Sequence, residues 1–191
     1  MPKLGMEPIR RAALVKATIE EIGAQGSLDV TVARIAKRAG MSSALAHHYF
    51  GNKDRIFLAA MRHLLSEYST EVREALVAAK GDPRARVAAI LRANFGPSNF
   101  RPEVIAAWLN FYVLARTSAP AARLLRIYHR RLRSNLAHDL RPLLGAGAAD
   151  AAERLAALID GMYLKQGLAG GPADGPAATR QLLAAFELEL K

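Results

Sequence analysis

The chain is 191 residues long, contains no cysteine and carries a formal net charge of +10. The length suits one domain, or a small domain joined to a larger one, and the missing thiols exclude disulfides, thiol nucleophiles and thiolate metal sites while leaving a cytoplasmic location open. The positive balance points to nucleic acid or an anionic surface, but charges interrupt every apolar window well short of the roughly 18 residues a membrane span needs, so no membrane partner is expected.

Alanine supplies much of the apolar content and β-branched runs of period two are hard to find, so the expected fold is all-α, with about nine helices. Residues 1–8 read as a loosely held arm carrying Lys3. A first helix follows over about residues 9–24, with Leu14, Val15, Thr18, Ile19 and Ile22 on one face and Gly23 and Gly26 marking its end. Arg10 and Arg11 stand at its start, the unfavourable end for positive charge. A phosphate partner would offset that cost; plain solvation is the alternative.

Residues 31–53 read as two short helices around a tight turn. Thr31 is a good N-cap. Val32, Ile35, Ala36 and Ala39 form one apolar face, and Gly40 ends that helix. Ser42 caps the next, which runs to about Tyr49 before Gly51. A connection of about three residues is what a helix-turn-helix uses. Ser43, Leu45, His47 and His48 offer short donors, acceptors and apolar surface suited to base edges, with Ser42, Tyr49 and Lys53 placed for phosphates. The competing reading is a helical hairpin packed on a core, its histidines ordinary surface residues. With the first helix this makes a three-helix unit whose expected core includes Ile22, Val32, Ile35, Ala36, Ala46 and Phe50.

Asn52 caps a long helix over about residues 53–79, with Ile56, Phe57, Met61, Leu64, Leu65 and Tyr68 inward. No Gly/Pro-rich linker separates it from the reading head, so motion of one should tilt the other. The expected division is a DNA-binding unit over residues 1–55 and a ligand-binding and dimerisation unit over residues 56–191. Asp82-Pro83 starts a helix to about residue 95. Further helices are expected at about 103–117, 120–140 with Pro142 and Gly145 as its stop, 149–168 and 176–190. Leu155, Leu158, Ile159 and Met162 form a stripe on the penultimate helix, and Leu182, Leu183, Phe186 and Leu190 one on the last. These suit pairing with a second copy, and close helix approach would rationalise Gly161 and Gly167; a tightly packed monomer core is the alternative.

Arg123, Arg126, Arg130, Arg131 and Arg133 form a basic stripe, either a second anionic contact or a solvated face opposite Leu125, Tyr128, Leu132 and Leu136. Trp108, Phe111 and Tyr112 share one side of their helix, and Asp160 and Tyr163 one side of theirs. Aromatic faces with one carboxylate are what a quaternary ammonium requires, although aromatics at this spacing also build cores and Asp160 could be a satisfied acid. No Gly-x-Ser-x-Gly, phosphate-loop or His-Glu-x-x-His pattern occurs. The adjacent His47 and His48 diverge by about 100° on a helix, so neither an enzyme, nor a metal, nor a cofactor is expected.

Gly40-Met-Ser42 followed by His48-Tyr-Phe-Gly-Asn-Lys53, ahead of a long helix, resembles the N-terminal domain of TetR-family repressors over roughly residues 9–61. Met1 to Met6 with Ile9-Arg-Arg11, Asn94-Phe95, Ala107-Trp-Leu109, Arg130-Arg-Leu132, Ser134-Asn-Leu136 and the run from Leu155 to Gly161 resemble the choline-responsive branch of that family, which represses genes for choline uptake and glycine betaine synthesis. The resemblance implies a homodimer that binds double-stranded operator DNA and is released or weakened by choline or a related cation. It assigns base contacts to Ser43, Leu45, His47 and His48, and phosphate contacts to Thr31, Ser42, Tyr49 and Lys53, with Arg34 counted in the same surface. Ala46 is smaller than the residue usual at that buried position, which implies looser packing of its helix. A repressor answering a different ligand, or a non-specific architectural DNA binder, are the alternatives.

Overall fold

Six short polar side chains set where helices begin in this computed structural model, which describes residues 5–191. Among the described residues there are nine α-helices, one 3-10 turn and no strand. The chain runs α1 (Met6–Gln25), α2 (Val32–Arg38), α3 (Ser43–Phe50), α4 (Lys53–Ala78), α5 (Pro83–Ala93), α6 (Pro102–Leu114), α7 (Ala119–Leu144), α8 (Ala148–Leu168) and α9 (Gly175–Glu189). Thr31, Ser42, Asn52 and Asp82 accept from first-turn N–H groups at 2.9–3.2 Å, satisfying donors that have no partner inside the helix.

Several helix ends differ from those expected: α6 stops at Leu114 rather than near residue 117, α5 stops at Ala93, and the ends of α1 and α7 also differ. α1 starts at Met6, so residues 6–8 belong to a helix rather than to an arm, and the Arg11 guanidinium donates to Glu7 at 2.8 Å across its first turns; Lys3 lies outside the described residues. Gly23 does not end α1. It sits inside the helix where α6 crosses, and a Cβ there would overlap the Cα and Cβ of Glu103. The end comes at Gly26, at a φ of 67° that favours glycine. α7 runs through Pro142 to Leu144: so close to the end, the missing N–H forfeits one bond of the last turn, and Gly145 closes the helix by donating to Arg141 O.

α1 packs on α4 and α6, α7 pairs with α8, and α5 and α9 close the body. Ile22, Ile35, Ala36, Ala46 and Ile56 are fully buried under the head, in one apolar cluster with Phe111, Leu136, Leu140 and Leu155 of the body. Val32 and Phe50, expected in the head core, are only half-buried at its edge. Besides the packing of α1 on α6, the head joins the body in two further ways. α4 leaves it without a break, and the Leu28 N–H donates to Asn110 Oδ1 of α6 at 3.1 Å.

The stripes on α8 and α9 divide between two roles. Leu155, Ile159, Leu182 and Phe186 are buried within the chain itself, whereas Leu158, Leu164 and Leu188 are exposed. Gly167 is explained inside the chain, since a Cβ would overlap Leu109 of α6; a Cβ at Gly161 would meet no other part of the chain within 4 Å.

Replacing Gly23 with alanine forces the α1–α6 backbones apart. The expected cost is about 1–3 kcal/mol, read as a fall in melting temperature; an unchanged melting curve would contradict this packing account.

Candidate functional site

The head is held together by a buried acid. Glu21 of α1 is only 5% exposed and accepts from Arg38 Nε at 2.5 Å, while Arg34 Nε lies 3.2 Å from its second oxygen. The hydrogen bond from Arg38, ahead of its charge and that of Arg34, holds the Glu21 carboxyl below the usual carboxylate range. Arg34 also donates to Gln25 Oε1 at 2.7 Å, so this expected DNA contact is engaged in fastening α2 to α1. Lys53 is similarly occupied, its ammonium donating to Leu28 O at 3.1 Å. Arg10 and Arg11 brace α1 against α3: Arg10 donates to the Tyr49 hydroxyl at 3.4 Å, and the Arg11 guanidinium lies 5.6 Å from the Tyr49 ring and 5.0 Å from Phe50.

Against this frame α3 presents its outer face. Thr31, Ser42, His47 and His48 are exposed, Ser43, Leu45 and Tyr49 are half-buried, and Ala44, which the sequence reading did not single out, is exposed beside them. Thr31 and Ser42 spend their oxygens as caps, which leaves each hydroxyl proton to donate. His47 Nδ1 sits 2.9 Å from Gly51 O. A carbonyl can only accept, so Nδ1 is the donor in this contact, which leaves Nε2 for an outside partner. Ala46 is fully buried, so its small side chain sets the packing of α3 without altering this face.

A second cluster lies in the body. Trp108 packs against Tyr112, Tyr163 and Tyr128, with ring centroids 5.8, 6.2 and 4.7 Å away. Asp160 stands at its edge, with Tyr112 donating to Oδ1 at 2.8 Å and His129 Nε2 3.1 Å from Oδ2. Four of the five residues singled out thus come together. Phe111, the fifth, is fully buried against Phe57 and Trp108 as core. Tyr128 and His129 were missed as members of the cluster. Their signal was their position on the inward side of α7, overshadowed by the arginines beside them. Burial pushes the phenols of Tyr68, Tyr112, Tyr128 and Tyr163 up, and Asp160 adds to the shift at Tyr112. All four therefore stay protonated, and the cluster is a set of neutral rings beside one acid.

The cluster is wired to α4. Tyr163 donates to Asn94 O at 2.7 Å, with Asn99 O 3.1 Å away, and Asn94 Nδ2 donates to the Tyr68 hydroxyl at 3.2 Å. Ser98 and Asn99 donate to Glu71 on α4, each at 2.5 Å. The arginines at 123, 126, 130, 131 and 133 are exposed, and Arg133 reaches Glu153 at 2.7 Å.

The Glu21 clamp has a pH signature. A depressed folded-state pKa contributes stability that is present above the unfolded value, about 4.5, and lost as pH falls through the lower folded value. Glu21→Ala, which leaves Arg34 and Arg38 facing each other, should cost about 1–3 kcal/mol at neutral pH and flatten the acid limb of the stability curve. Chemical denaturation at stepped pH measures both; an unaltered acid limb would contradict the clamp.

The chain matches two family profiles: "Bacterial regulatory proteins, tetR family" over residues 14–60 and "BetI-type transcriptional repressor, C-terminal" over residues 83–190. It is 52% identical over 179 residues to the HTH-type transcriptional regulator BetI of Brucella anthropi, covering 93% of this chain and 90% of that one. A transcriptional regulator of Pseudomonas aeruginosa PAO1 superposes with a TM-score of 0.80 at 27% identity, covering 98% and 93% of the two chains. One from Saccharomonospora viridis, solved in complex with choline, shares the fold at a TM-score of 0.78 and 20% identity, covering 93% and 95%. With its N-terminal helices matched by one profile and most of its helical body by the other, the chain belongs to the BetI-type group of TetR-family transcriptional repressors.

Proposed function

We propose that this chain is a homodimeric, sequence-specific repressor of genes for choline uptake and glycine betaine synthesis, acting in the cytoplasm and released or weakened by choline or a related quaternary ammonium. Residues 1–55 read the operator. Residues 56–191 hold the effector and the partner subunit, with the exposed Leu158, Leu164 and Leu188 and the open space at Gly161 as the dimer face.

The observation that carries this proposal is the convergence of Trp108, Tyr112, Tyr128 and Tyr163 beside Asp160. A quaternary ammonium has no N–H to donate, so ring faces and one carboxylate are the groups that recognise it. The rings are closed on one another; one Asp160 oxygen accepts from Tyr112, and the other lies 3.1 Å from His129 Nε2, which makes no hydrogen bond. An entering cation must part the rings and take Asp160 over from His129. Parting them shifts Tyr163, hence Asn94 and Asn99, hence Tyr68 and Glu71 on α4, the helix that carries the head. Two recognition helices reach successive major grooves only about 34–36 Å apart. A ligand that favours the opened arrangement weakens DNA binding by its difference in affinity for the two states. Kinship with BetI regulators supports the pathway, and the choline-bound S. viridis protein supports the accommodation of that cation by this fold.

The test is a titration of the protein–operator complex with choline. Operator affinity should fall by about tenfold or more, roughly 1.4 kcal/mol, and Asp160→Asn should lose most of that response while binding operator normally. Unchanged affinity at saturating choline would remove choline as effector. Competition with random DNA tests the head separately. Discrimination of about a thousandfold or more is expected of a specific regulator, reduced by His47→Ala with His48→Ala; equal competition would favour an architectural role.

A further inference from the structure

A cleft of about 520 Å³ lies between α4 and α7, within the range of about 300–1,000 Å³ usual for small-molecule sites. Its floor is apolar, built from Leu65, Leu76, Leu124 and Ile127 with the rings of Tyr68 and Tyr128. Its rim carries Arg62 and Arg73 from α4 and Arg131 from α7, all exposed. No acidic side chain lines it. Among the described residues none of these three guanidiniums has a carboxylate within ion-pair distance, whereas Arg34, Arg38, Arg84, Arg86, Arg133 and Arg154 each do.

Cations without counter-charges around an apolar trough repel an ammonium and suit the opposite ligand. We propose that this cleft binds an amphipathic carboxylate, with its hydrocarbon tail along the α4–α7 floor and its head group taken by the arginines at one end of the rim, since Arg62 and Arg73 stand eleven residues, roughly 16 Å, apart along α4. Guanidinium forks match carboxylate geometry in two-point contacts, and Ser66, Ser69 and Asn135 add donors at the mouth. The site backs onto the effector cluster through shared rings: Tyr128 lies 4.7 Å from Trp108, and Tyr68 accepts from Asn94. A tail pressed against Tyr68 and Tyr128 therefore acts on the same rings from the far side. The binding claim does not depend on choline being the effector.

Calorimetric titration of the full chain with decanoate, below its micelle concentration, tests it against acetate, which has the head without the tail, and decanol, which has the tail without the charge. Saturable binding of one decanoate per subunit is expected, about tenfold or more tighter than either control. Arg62→Ala with Arg131→Ala should weaken it by about tenfold or more, with partial recovery in the paired lysine variant. Both positions are on the surface, so melting curves should be unchanged, and operator binding without ligand serves as a second check of folding. Ser69→Trp, which fills the mouth, should block decanoate. Non-saturable uptake, equal binding of decanol, or full decanoate affinity in the arginine variants would overturn the proposal.

Discussion

One phenolic proton ties α8 to the connection between α5 and α6. Tyr163, on α8, has a single hydrogen to give and spends it on the carbonyl of Asn94 at 2.7 Å, at the point where α5 ends. Asn94 in turn donates from its side chain to Tyr68 on α4. The Phe95 and Phe100 rings pack on Tyr163 with centroids 5.9 and 5.0 Å away, so the hydroxyl cannot move without disturbing the connection between α5 and α6. That connection is stitched to α4 a second time, through Ser98 and Asn99 on Glu71. In a buried setting a polar group left without a partner costs about 1–3 kcal/mol. That cost falls on the buried Tyr163–Asn94 bond, whereas the Ser98–Glu71 contact is exposed to solvent.

The other end of α4 is equally stiff. Glu21 gathers Arg38 and Arg34, Lys53 returns to Leu28, and Asn110 on α6 receives the Leu28 N–H. Charges that sequence alone would give to phosphates thus hold the head on its mount. On the proposed function, the surface left for DNA is the outer face of α3, where Ala44, His47 and His48 are exposed. The proposed release needs a head fixed in this way, so that a tilt of α4 reaches α3.

Much of this was legible in the sequence where the governing physics is local. The caps at Thr31, Ser42, Asn52 and Asp82 and the left-handed ends at Gly40 and Gly51 follow from neighbours a few residues away. The resemblance to TetR-family repressors rested on the same short stretch. What spacing could not supply is what faces each stripe. The aromatic spacing put Trp108, Phe111 and Tyr112 on one side of a helix, but only the packing turns Phe111 to the core and brings Tyr128 and His129 from α7 to the cluster. Gly23 looked like a helix end because its close approach to Glu103 is a contact 80 residues distant in sequence. Likewise the apolar stripe of α8 gave no hint that Leu155 and Ile159 turn inward while Leu158 faces out.

The central claim is that the aromatic cluster and the reading head are one mechanical system. The chain has no cysteine, so Ala44→Cys places a single spin label on each subunit, on the exposed face of α3. The distance between labels across the dimer, measured with and without saturating choline, reports the spacing of the heads directly. The account predicts a shifted distribution in the otherwise unaltered protein, and no shift in an Asn94→Ala variant that still binds choline. Heads that leave DNA on choline binding with their spacing unchanged would contradict it.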